Sequence, residues 1–209
     1  MRSQTFRCII LGHKNISEQD KLVFLYNDEL GKIKAVAKGA RRINSKFKGH
    51  LETLNICNIS LYFSPKSTII QEVQIIENLS RDYKFQKLES LLQIAEITER
   101  ILFEQQILEG LVNLIEKTLN QIHISKKPSL ISISYIIKLL NISGLIPDYR
   151  ENQLRIPKKY RKFLNFIKSH SLAEIESIAL SEEEELYIKS FTRNLIEAET
   201  GLPFKSFIS

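Results

Sequence analysis

The feature that most constrains this chain is a change of hydrophobic period near residue 80. Before it, apolar residues recur every second position, the pattern of strands with one face turned inward. Phe6, Cys8 and Ile10 share a face. Cys57, Ile59, Leu61 and Phe63 share another, with Asn58, Ser60 and Tyr62 opposite. In the next run Ile69, Val73 and Ile75 fall together, while Leu22–Tyr26 is apolar throughout, as expected of a strand covered on both sides. Turn-forming clusters at 27–31, 48–50 and 64–67 separate the runs. Several short strands in a stretch of this length predict a small barrel or sandwich, and the OB fold is the barrel of that size.

After Ser80 the repeat becomes helical. Leu88, Leu91, Leu92, Ala95 and Leu102 follow it, widened by Ile94, Ile97 and Ile101; Leu111, Leu114, Ile115, Thr118 and Ile122 mark a second helix. Pro128–Asn141 is apolar nearly all round, which predicts a helix buried in the centre of a bundle, ended by Ser143-Gly144 and Pro147. Lys158–Ser169 and Glu182–Glu199 predict two more helices, the second opened by a Ser181/Glu184 capping box and stopped by Thr200-Gly201-Leu202-Pro203. The expected architecture is α+β, with a barrel over 1–80 and an all-α domain over 81–209.

Composition narrows the function. Two cysteines, Cys8 and Cys57, are too few for a disulfide framework, and no apolar stretch is long enough to span a bilayer. With no signal peptide in Met1–Leu11, the expectation is a reduced cytoplasmic, nucleoid-associated protein with no membrane contact. Residues 1–80 carry 12 Lys/Arg against 7 Asp/Glu, whereas 81–209 carry 18 against 17, so nearly all of the net +6 is N-terminal. A surface biased in this way attracts polyanions, nucleic acid above all.

The charge is concentrated further still. Gly31–Gly49 holds Lys32, Lys34, Lys38, Arg41, Arg42, Lys46 and Lys48 with no acid among them. Strand alternation puts Lys32, Lys34 and Lys38 on one face, with Ile33, Ala35 and Ala37 opposite, and Gly39-Ala40-Arg41-Arg42 leaves the strand as a loop able to follow a phosphate backbone. Phe47, Tyr62 and Phe63 are candidates for base stacking, although aromatics in a small barrel more often fill its core. A second basic run, Arg155–Lys168, offers Lys158, Lys159, Arg161 and Lys162 beside Phe163, Phe166 and Ile167 as a partner site or second DNA site. Its competing reading is a surface helix balanced by Glu174, Glu176 and Glu182–Glu185.

Signals for chemistry are weak. There is no phosphate-binding GxxxxGK[ST] loop, and His13, His50, His123 and His170 have no metal-ligand spacing. The expectation is a protein that is not an enzyme and uses no cofactor or metal. The rival readings are a metal-dependent DNA nuclease built on Glu18, Asp20, Asp28 and Glu29, and an RNA-binding barrel of the cold-shock kind.

The stretch Glu18-Gln19-Asp20-Lys21-Leu22-Val23, followed by Leu30-Gly31-Lys32-Ile33-Lys34-Ala35-Val36-Ala37-Lys38-Gly39-Ala40-Arg41-Arg42, resembles the start of RecO proteins, bacterial recombination mediators. Ser45–Gly49 and Leu51-Glu52 continue the resemblance, which covers residues 5–80; Leu139-Leu140…Gly144…Pro147-Asp148 and Gly201–Ser206 resemble later parts of the family. The resemblance implies an OB-fold domain followed by a helical one and binding to single- and double-stranded DNA. It also implies annealing of complementary strands, cooperation with RecR, recognition of the acidic C-terminal tail of single-strand-binding protein, and help in loading RecA. Many members carry a four-cysteine zinc site after the Pro-Asp pair. Here that segment reads Asp148-Tyr149-Arg150-Glu151-Asn152-Gln153, without cysteine, so the zinc module is expected to be absent.

Overall fold

A computed structural model describes residues 3–77, 85–145 and 157–201. The chain divides into two compact units, Met1–Tyr83 with Thr98–Val112, and Lys84–Ile97 with Asn113–Ser209. The change of hydrophobic period marks a boundary in sequence; in space, 98–112 returns to the strands.

The first unit is a closed barrel of β1 (Gln4–Asn15), β2 (Lys21–Asn27), β3 (Gly31–Ala37), β4 (Ile56–Phe63) and β5 (Thr68–Glu77), in the order β1-β2-β3-β5-β4. Four of the pairings are antiparallel, and β3 with β5 closes the barrel in parallel. This is an OB-fold barrel. β1 is long enough to serve two neighbours. Its first half pairs with β4 and its second with β2, and the register shifts between Ile10 and Gly12 where the strand turns from one to the other.

The interior follows the alternation of the strands. Phe6, Cys8, Ile10, Val23, Leu25, Ile33, Ala35, Ala37, Cys57, Ile59 and Leu61 form one buried cluster. β5 departs from strict alternation. A register shift opposite Ser60 and Leu61 pairs Leu61 with Ile70 and Ser60 with Glu72, leaving Gln71 as an extra residue. The bulge exchanges faces, so Ile70 joins Val73 and Ile75 in the core where period two had placed Ile69. β2 is covered on both sides as its composition predicted: Phe24 and Tyr26 are buried behind Val23 and Leu25. The cover over Tyr26 comes from 98–112, where the phenol accepts from the Leu108 N–H at 2.9 Å and donates to its carbonyl at 3.2 Å. Gly31, at φ +70°, meets the same segment so closely that a Cβ there would lie 2.4 Å from the Gln106 carbonyl oxygen.

In the helical part, α1 (Phe85–Ile101) and α2 (Leu111–Ile124) precede α3 (Pro128–Ile142), which is buried over most of its circumference. Its interior hydroxyls are satisfied, Ser134 on the Leu130 carbonyl of the same helix and Ser132 on Gln93 of α1. α3 ends where Gly144 turns left-handed and Leu145 N–H donates back to the Leu140 carbonyl at 2.9 Å. Pro147, expected to reinforce that stop, lies outside the described residues. Around α3 pack α4 (Lys158–Ser169), α5 (Leu172–Glu176) and α6 (Glu182–Thr200). Both halves of the Ser181/Glu184 capping box form, and Gly201 ends α6 at φ +65°; Leu202 and Pro203 lie outside the described residues. α5 was missed from sequence because five residues are too few to display a period. Its own capping box, Ser171 with Glu174, was the available signal. Among the described residues no helix is long and apolar enough to cross a membrane.

Candidate nucleic-acid interface

The basic segment leaves β3 through Gly39, at φ +69°, whose N–H donates to the Asp20 carboxylate at 2.8 Å. It then descends through a series of turns. Arg42 N–H bonds the Gly39 carbonyl, Ser45 that of Arg42, Lys48 that of Ser45, and His50 that of Phe47. Two features make this loop a built surface. Phe47 is buried in the barrel core with Leu51, so the chain is anchored while Lys46 and Lys48, on either side of Phe47, remain exposed. The β1–β2 connection holds the other end. Arg41 N–H donates to the Gln19 carbonyl, the Arg41 guanidinium to the Ser17 carbonyl at 2.7 Å, and the Arg42 guanidinium to the Gln19 side chain at 2.8 Å.

Held in this way, Lys38, Arg41, Arg42, Lys46 and Lys48 are all exposed. Each guanidinium has five N–H donors and commits few of them here, so both arginines keep donors for a phosphate. Lys46 lies 5.4 Å from the centre of the Phe47 ring. Asn55, fully buried, closes the loop from behind by donating to the carbonyls of Gly49 and His50.

The two lysines of β3 differ from this group. Lys34 is exposed but pairs with Glu104 at 2.9 Å. Lys32, expected on the phosphate-facing side, is a correction: it is 7% exposed. Its ammonium pairs with Glu99 at 3.0 Å and donates to the carbonyls of Glu99 and Leu102. Ile33, Ala35 and Ala37 do face the core, but 98–112 covers this end of the opposite face and takes the lysine inward. Phe47 is core, and Phe63 packs edge-on against Phe6 with ring centres 6.2 Å apart, so neither is a free stacking platform. Tyr62 is half-buried.

Comparison with known proteins bears on this barrel directly. The model of the N-terminal part of recombination protein O matches residues 1–79. The chain is 30% identical over 151 residues to DNA repair protein RecO of Caldanaerobacter subterraneus subsp. tengcongensis, covering 70% of this chain and 60% of that protein. It is 30% identical over 152 residues to that of a Thermoanaerobacter species, with 71% and 60% covered. Against that of Cutibacterium acnes it is 25% identical, with 68% and 61% covered. The chain belongs to the RecO family. It spans about 60% of the length of the curated relatives it matches.

The four-thiolate zinc site of many RecO proteins does not fit this chain. Its two cysteines, Cys8 and Cys57, face one another in register across β1 and β4 inside the barrel. Burial pushes Cys8 up to about 12, with smaller contributions from Cys57 and Glu29, and Cys57 up to about 11, so both stay protonated thiols. The cysteine-free segment Asp148–Gln153 lies outside the described residues. Among the described residues no three His, Cys, Asp or Glu side chains converge as a metal site.

The helical unit of this RecO-family chain contains several recesses. On α4, Lys158 and Lys162 are exposed, while Arg161 is half-buried with its Nε unpartnered among the described residues; the Lys159 side chain lies outside them. Lys162 borders a groove of about 330 Å³ with Tyr160, Phe163, Phe166, Leu180 and Glu184. A larger cleft of about 610 Å³ was not anticipated. Leu114, Ile124 and Leu172 line it, and Lys117, Lys138, His123 and His170 stand at its wall. Lys138 was the available signal, a lysine in an otherwise apolar helix. It donates to the His170 carbonyl at 2.7 Å, and burial lowers its pKa.

Proposed function

We propose that this chain is a DNA repair and recombination protein that binds single- and double-stranded DNA through the loop 38–48 and anneals complementary strands. The observation that carries the reading is the pinned loop itself: five exposed cations on a backbone tied at one end to Ser17–Asp20 and anchored at the other by Phe47. A preorganised row of cations neutralises phosphates at little ordering cost and releases their counterions. With phosphate repulsion reduced, two strands can approach closely enough to pair. The protein then supplies binding and proximity, with no bond made or broken.

Membership of the RecO family supports the further reading that the protein works with RecR and helps load RecA on DNA coated by single-strand-binding protein. The acidic, apolar-ended tail of that coating protein needs a slot for its aromatic terminus and cations for its carboxylates. The larger cleft suits it better than the α4 groove, because among the described residues its lining holds Lys117 and Lys138 and no carboxylate, whereas Glu184 borders the groove. The test is annealing of complementary oligonucleotides, bare and coated with single-strand-binding protein, without nucleotide and with a chelator present. Acceleration under those conditions is expected. No acceleration there, or cleavage of the DNA when magnesium replaces the chelator, contradicts the reading.

A further inference from the structure

Ile43 is 88% exposed, the most exposed of the large apolar side chains among the described residues. Single apolar residues on a surface are ordinary, and exposure alone would say nothing. The position is what differs. Ile43 follows Arg41 and Arg42 and precedes Lys46 and Lys48, so it stands in the middle of the exposed cations of the loop.

Its backbone is also fixed. Ser45 N–H donates to the Arg42 carbonyl at 3.0 Å, closing a turn with Ile43 and Asn44 at its two central positions. One residue earlier, the Arg42 N–H bonds the Gly39 carbonyl and its guanidinium bonds Gln19; two residues later, the Ser45 hydroxyl accepts from the N–H of Phe47, which is buried. A β-branched side chain at a turn apex has few rotamers to lose on binding. The loop therefore presents a stiff apolar projection from a cationic frame.

We propose that Ile43 packs against the nucleobases of bound DNA as an aliphatic wedge between neighbouring bases. The inference rests on the proposed DNA binding by this loop and adds what the cations cannot supply. A polyanion drawn to Arg41, Arg42, Lys46 and Lys48 brings phosphates to the frame, and the apolar surface it carries is the faces of its bases. An apolar side chain raised among phosphate contacts meets those faces where a strand is unpaired or easily unstacked, as wedge residues of other DNA-binding proteins do.

The experiment uses the full chain and a single-stranded oligonucleotide carrying 2-aminopurine, whose fluorescence rises on unstacking. Because Ile43 buries almost nothing in the free protein, Ile43→Ser should keep the parent's melting temperature. It should bind about five- to fifteenfold more weakly, the loss of part of an isoleucine's burial. The slope of log affinity against log salt should not change, because a neutral side chain releases no counterions. The parent should raise the 2-aminopurine signal, Ile43→Leu should retain the rise, and Ile43→Ser should lose it. If Ile43→Ser matches the parent in affinity and fluorescence while binding stays salt-dependent, the wedge is overturned and the basic loop stands. If the parent itself shows no salt-dependent DNA binding, both fall.

Discussion

Lys32 and Lys34 lie two residues apart on one strand face yet play different parts. Lys32 is enclosed with two carbonyls and the half-buried Glu99, so removing its charge leaves the carbonyls without that donor and the carboxylate without its partner. Lys32→Met should therefore lower stability by about 1–3 kcal/mol. It should leave the salt dependence of the proposed DNA binding unchanged, because the enclosed ammonium is not open to a phosphate. The pair of Lys34 with Glu104 is exposed on both sides, and such pairs contribute about 0–1 kcal/mol. Denaturant unfolding and a salt titration of binding separate the two residues. Gly31 tests the same segment by shape. A methyl group there would enter the backbone at Gln105 and Gln106 from a left-handed position, so Gly31→Ala should destabilise the protein by more than about 1 kcal/mol, seen as a lower denaturation midpoint.

At the scale of elements, α5 is tied down by one carboxylate. Glu176 accepts from the Gln121 amide, the Ser125 hydroxyl and the Lys126 N–H. Burial alone would raise its pKa, but these bonds outweigh it and hold the carboxyl below the ordinary glutamate range. A depressed carboxylate stabilises fully above its unfolded value, about 4.3. That contribution is lost as pH falls through the lower folded value. Glu176→Gln should thus be less stable than the parent at neutral pH, and the gap should close in acid; melting curves across pH check this. β1 and β4 carry their own reporter. Cys8 and Cys57 are buried and kept protonated, so a thiol reagent at neutral pH should label them only as fast as the barrel unfolds. Rapid labelling of the native protein would mean that the β1–β4 pairing opens locally.

These elements also show how far the sequence could be read. Period two exposed the strands because each has one face in a single core, and the apolar run of β2 correctly signalled cover on both sides. The bulge in β5 was invisible, since nothing in Ile69-Ile70-Gln71 says which isoleucine turns inward until β4 is alongside. Lys32 failed for a related reason: alternation gives a face, and whether that face meets water depends on a segment some seventy residues later. The basic loop was legible as charge. Its pinning by Gln19 and Asp20 was not, because that requires β1 and β2 to be placed beside β3.

For the whole molecule, the distribution of charge is the strongest constraint on function. The N-terminal barrel carries nearly all the excess cations, and the structure leaves five of them exposed on one loop while enclosing Lys32 and pairing Lys34. DNA affinity should then follow that loop and little else. The most direct test compares the parent with a chain bearing Lys38→Glu, Arg41→Glu and Arg42→Glu, measuring affinity for single-stranded DNA across salt concentrations. All three side chains are exposed, and the loop keeps its Gly39 and Arg41 backbone bonds and its Phe47 anchor when the guanidinium bonds are lost, so the triple variant should fold and keep its melting temperature within a few degrees. The slope of log affinity against log salt should flatten by about two to three units, somewhat less than one for each of the three lost phosphate contacts. An unchanged slope and affinity in the folded variant would show that DNA, if bound at all, is bound elsewhere.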